Sequence, residues 1–132
     1  IMKKFCTILL LAFCFLGIQT HQNTADAQMV YISHYMDGTY YADTSSAVML
    51  RYTDDPYDLN VWAINVIGNL DNGRQKVTTY YFIQAKGKGR YYWTLNPNYN
   101  NQYYWHAIDF NNKSHANAMI LGAYWASHDV LF

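Results

Sequence analysis

Four histidines, His34, His106, His115 and His128, are the first residues beyond position 27 to test for chemistry. Zinc sites draw on histidine, cysteine and carboxylate at short, recognisable spacings. None of these four pairs at such a spacing, and neither glutamate nor cysteine accompanies them beyond residue 27. His115 and His128 are thirteen residues apart, about 20 Å along a helix. No metal and no cofactor is expected. Ser45 or Ser46, with His34 or His106 and an aspartate, supplies the residue types of a nucleophilic triad. A triad is defined by geometry, however, and no Gly-x-Ser-x-Gly elbow is present. Asp43 and the two serines read instead as turn and cap residues, whose short oxygens bond nearby backbone N–H groups. Asp54, Asp55 and Asp58 surround Pro56. They are the residue type of a paired-carboxylate hydrolase, but their spacing reads as a solvated loop and matches no calcium-binding signature. Gly87-Lys88-Gly89 is too short for a phosphate loop. No catalytic residue is expected.

The stretch most suited to binding is aromatic. Trp93, Tyr99, Tyr103, Tyr104 and Trp105 are the candidate binding residues. Such rings stack on a sugar or anchor a protein partner, while Asn98, Asn100, Asn101 and Gln102 offer hydrogen bonds. The other role open to the same rings is to close one end of the core.

Residues 1–27 read as a signal peptide. Lys3 and Lys4 are followed by an apolar run over residues 5–18, and Ala25-Asp26-Ala27 fits the small-x-small cleavage rule. The run is short for a membrane span, which needs about 20 apolar residues, so no stable transmembrane anchor is expected. Residues 28–132 then form a single exported domain, secreted, periplasmic or associated with the cell surface. Both cysteines, Cys6 and Cys14, fall in the removed segment, so the domain is held by packing alone. Beyond residue 27, seven Lys and Arg face eight Asp, a balance that argues against nucleic acid as a partner. All fourteen tyrosines and all four tryptophans lie beyond residue 27.

The elements that must position these residues are mostly strands. Residues 30–35 and 39–42 read as a hairpin around Asp37-Gly38, the glycine accepting the positive φ of a tight turn. Residues 43–46 read as a turn and 47–52 as a third strand. Residues 59–67, apolar on both faces, read as a central strand. Residues 77–85 and 90–95 continue an antiparallel meander through short turns. Residues 96–102 read as a loop and 103–108 as a short strand or edge segment. Ser114 reads as the cap of a helix over 116–127, with Met119, Ile120, Ala123 and Tyr124 as its buried stripe. Gly122 permits close approach to the sheet. The expected fold class is α+β: an antiparallel β-sheet meander with a C-terminal helix packed on it.

Several of these segments together resemble the surface-adhesin protein E family of small bacterial exported proteins. The marks are Val30-Tyr31-Ile32, Asp37-Gly38-Thr39-Tyr40-Tyr41 and Asp43-Thr44-Ser45-Ser46. Val61-Trp62, Tyr80-Tyr81-Phe82 and Trp105 leading through Ser114 into the helix complete them. The chain departs from the family in lacking cysteine beyond residue 27 and in carrying Ala47 and Val48 where a charged residue is usual. The resemblance implies a surface or periplasmic protein, similar to an adhesin that binds host matrix proteins, and it brings no catalytic residue. The expectation is a non-enzymatic exported binding or surface/adhesion-type protein. A carbohydrate-binding or cell-wall accessory module is the alternative, with a small hydrolase behind it. Partners would be a protein or glycan, and the edge strand near Val30 is open to weak homo-oligomer formation.

Overall fold

A computed structural model describes residues 28–132; the expected signal peptide, with both cysteines, lies outside the described residues. Six strands follow in order: β1 (Met29–Tyr35), β2 (Gly38–Arg51), β3 (Leu59–Leu70), β4 (Gln75–Ala85), β5 (Arg90–Thr94) and β6 (His106–Ala107). They form one antiparallel sheet in which neighbours in sequence are neighbours in space. Helix α1 (His115–Leu131) packs on one face of it. The fold class is the α+β meander that the alternation of side chains implies.

Strand alternation divides β3 cleanly. Trp62, Ile64 and Val66 face α1 and are buried with Ala42, Phe82, Ile120, Ala123 and Tyr124. Val61 and Ala63 point the other way and are buried as well, which accounts for a strand apolar on both sides. The helix begins where Ser114 accepts a hydrogen bond from the Asn117 N–H at 3.3 Å. A Cβ on Gly122 would stand 2.6 Å from Cγ2 of Ile32, so glycine lets α1 lie close over β1. The buried face of α1 also holds Asn117 and Ser127, two polar residues outside the apolar stripe. Asn117 donates to the carbonyls of Asp109 and Asn112 at 2.8 and 2.6 Å, tying the preceding loop to the helix.

Three expectations are corrected. The first hairpin turns at Met36-Asp37, since Tyr35 already pairs with Gly38. Gly38 has no positive φ; a Cβ there would meet the Asn69 carbonyl oxygen at 2.5 Å. Its glycine serves close approach of β2 to β3. Residues 43–46 are not a turn, because β2 runs through them as a bulge. Asp43 faces Asn65 and Val48 faces Ala63, so five steps along β2 match two along β3. Short side chains replace the missing ladder bonds. Ser46 Oγ accepts from the Asn65 N–H at 2.8 Å and donates to the Asp43 carbonyl at 2.6 Å. Over 103–108 the expected short edge strand is present as β6, two residues long, and a 3-10 turn at Gln102–Tyr104 precedes it. The Asn101 side chain accepts from the Tyr103 N–H at 3.0 Å, which favours the turn over an extended start.

Candidate functional site

The sheet separates the five candidate rings. Trp93 stands opposite Phe82 and therefore on the helix side, packed against Tyr80 and, with tilted rings, against His106 at 4.8 Å. Tyr99 and Trp105 lie over the other face. Tyr99 stacks on Tyr81 at 5.4 Å, Trp105 packs on Tyr92 at 5.4 Å, and the Trp105 indole N–H donates to the Tyr99 carbonyl at 2.7 Å. These rings close one end of that face, over a floor that includes Ile83 and Thr94 at 0% and 1% exposure. Tyr103 and Tyr104 contact each other edge to face. Only Tyr103 stands well clear of the protein, at 86% exposure.

The rest of the helix-free face carries a feature that spacing alone does not disclose. Tyr31 pairs with Tyr41, Tyr41 with Ile67, and Ile67 with Val77. Directly paired residues share a face, so these four side chains form one row across four strands, about 14 Å long at the usual strand separation. Ala42 and Val66, their neighbours in sequence, point into the core under α1, which places the row on the opposite side. Tyr31 and Val77 keep 60% and 56% of their surface exposed. The Tyr31 and Tyr41 rings meet edge to face at 6.0 Å.

A polar row flanks this apolar row on each side. One is His34, Thr39, Asn69 and Gln75; the other is Asp43, Asn65 and Thr79, with the apolar Met29 at its β1 end. Their side chains bond along the rows: His34 Nδ1 with Thr39 Oγ1 at 2.8 Å, Gln75 to Asn69 at 3.3 Å and Thr79 to Asn65 at 2.7 Å. Asp43 is the one carboxylate in the grid. Sequence reading missed the row because it depends on register, and register depends on the bulge at 43–46. The legible part of the signal was the alternation placing Tyr31 and Tyr41 opposite the core residues of their strands.

The residues of hydrolytic type do not converge. Asp43 accepts hydrogen bonds from the Ser45 N–H and hydroxyl. His34 bonds Thr39. His106 packs against Trp93. His115 packs on Tyr35, and His128 packs on Phe132 further along the helix. Among the described residues, no three of His, Cys, Asp and Glu group as metal ligands. The aspartates near Pro56 build their own loop. Asp55 accepts from the Tyr57 N–H at 2.9 Å, and Asp54 accepts from the Tyr52 hydroxyl at 3.1 Å. The Leu59 N–H, then the Arg51 guanidinium at 2.6 Å, hold the Asp58 carboxyl below the ordinary carboxylate range. Lys86 donates to the Thr53 carbonyl and fixes the loop against the turn after β4.

Clefts open on the surface of the described residues. One of about 310 Å³ lies between Arg90, Tyr91, Ile108 and Phe110. Another, of about 390 Å³, runs between the outer side of β1 and the last turns of α1. No family model, curated protein or solved structure matches this chain. Among the described residues no helix is long and apolar enough to cross a membrane.

Proposed function

We propose that this chain is a non-enzymatic exported binding protein of surface or adhesion type, and that it binds through the helix-free face of its sheet. The observation that carries the reading is the register row Tyr31–Tyr41–Ile67–Val77, partly exposed where soluble strands ordinarily place polar side chains. The resemblance to the surface-adhesin protein E family is in keeping with this, since both Val30-Tyr31-Ile32 and the Tyr40-Tyr41 pair contribute to the row or its strands.

The flanking rows favour a second reading, a carbohydrate-binding module. Amide and hydroxyl groups beside an aromatic strip suit the hydroxyls and apolar ring faces of a neutral glycan. Binding of the labelled chain to a glycan array and to immobilised matrix proteins separates the two. Under either reading, Tyr41→Ser lowers binding at least tenfold and Tyr57→Ser, on an exposed turn, leaves it unchanged. Signal on glycans alone selects the module, and signal on matrix protein alone selects the adhesion reading. Binding that survives Tyr41→Ser but is lost in Tyr103→Ser moves the site to the 99–105 loop and overturns the face.

A further inference from the structure

The two edges of the sheet are unlike. β6 is two residues long, a blunted edge of the kind that resists strand addition. β1 is seven residues long, MVYISHY, with no lysine, arginine, proline or carboxylate. It has no strand on its outer side among the described residues. A bulge between Tyr31 and Ser33 breaks its register, confining the regular open edge to its first residues. There the side chains are exposed on both faces, Met29 at 43%, Val30 at 45% and Tyr31 at 60%. The 390 Å³ cleft runs beside the same three residues, and its far wall is Trp125 and Val130 of α1, exposed at 51% and 52%. Asp129 is the one acidic or basic side chain lining it.

We infer that β1 pairs with β1 of a second copy, giving a two-fold dimer with one continuous sheet. Antiparallel pairing about Val30 sets Val30 against its own counterpart. It sets Met29 against Tyr31 of the second copy, and Tyr31 against that copy's Met29. Every such contact is apolar, and methionine beside an aromatic ring is a favourable pair. The surface is thus complementary to itself, as a two-fold interface requires, and it carries no charge pattern to select a foreign strand. The area is of the order that a weak dimer needs. Five side chains about half exposed, at roughly 150–250 Å² each for the large ones, offer about 500 Å² per copy. Two copies then bury up to about 1,000 Å², and somewhat less where the outer face of Tyr31 stays uncovered, close to the lower bound for a specific interface.

A two-fold axis normal to the sheet keeps its faces distinct. Both helices lie on one side, and the two Tyr31–Val77 rows lie on the other, flanking the junction of the two sheets. Each copy therefore contributes half of a longer exposed surface. The dimer does not depend on what that surface binds.

The test is the mass in solution of the full chain, recovered after expression in an exporting host, by light scattering across a dilution series. The expected result is a dimer that dissociates in the micromolar range. Val30→Lys and Trp125→Ser each raise the dissociation constant at least tenfold, while Tyr57→Ser, remote from β1, leaves it unchanged. Circular dichroism checks that each variant is folded, and if Val30→Lys is not, Trp125→Ser decides. A wild-type monomer at about 100 µM, or a dimer unmoved by Trp125→Ser, overturns the proposal.

Discussion

The indole N–H of Trp62 donates to the hydroxyl of Ser127 at 2.9 Å, and both side chains are fully buried. Ser127 passes the bond on to the Ala123 carbonyl, one turn back along α1, at 2.7 Å. This chain of bonds joins the central strand to the helix through their shared core. Replacing Ser127 with alanine leaves the Trp62 N–H without a partner away from water, a loss of about 1–3 kcal/mol. Urea unfolding of Ser127→Ala, followed by tryptophan fluorescence, should show that decrease with an unchanged slope. A midpoint equal to wild type would mean that the N–H finds another acceptor.

Gly122 is a second point where sheet and helix constrain each other. Alanine favours a helix interior over glycine by about 1 kcal/mol, yet a Cβ here would stand 2.6 Å from Ile32 Cγ2 and 3.2 Å from Ile32 Cβ. The Ile32 side chain is branched at Cβ and flanked by β2, so it has little room to turn away. Overpacking of this kind costs about 1–3 kcal/mol, and Gly122→Ala should lower the melting temperature. Combining it with Ile32→Ala should recover part of that loss, a coupling visible in a double-mutant cycle.

Side-chain alternation was enough to place β3 at the centre and α1 over one face, because burial imposes a period of two on strands and 3.6 on helices. The strand at 43–46 was not legible in the same way. Asp, Thr and Ser in succession satisfy backbone groups in a turn, and the same oxygens satisfy a bulge; which of the two forms is settled by the pairing of β2 with β3. The candidate rings show the matching limit. Trp93 and Tyr99 are close in sequence, but the sheet lies between them, and Tyr99 and Trp105 share the face of the exposed row. Tyr31 and Val77 are far apart in sequence and belong to one row because three hairpins bring them into register.

The bulge makes its own prediction. Ser46 Oγ stands in for a ladder carbonyl toward the Asn65 N–H at 2.8 Å. Ser46→Ala should cost about 1 kcal/mol and speed hydrogen exchange at the Asn65 amide, with amides at the far end of β3 unchanged. Ser46→Thr retains the hydroxyl and should retain most of the protection. Exchange at Asn65 that is equally slow in Ser46→Ala would show that the strand closes its own ladder without the serine.

Tyr124 sets the behaviour at high pH. It is 3% exposed and ringed by Phe82, Tyr91 and Phe110 at 5.3–5.6 Å. Burial first, then the nearby Tyr91, pushes its phenol above the ordinary value of 10.0, and burial does the same to Tyr80. A raised pKa means that the folded state keeps protons the unfolded state releases. Stability is therefore unaffected below the unfolded tyrosine pKa and falls as pH rises from about 10 toward the folded value. Thermal melts at increasing alkalinity should show the midpoint dropping together with a rise in phenolate absorbance at unfolding. Tyr124→Phe removes the titrating group and should flatten part of that drop. An equal decline in Tyr124→Phe would assign the alkaline instability to other groups, Tyr80 first among them.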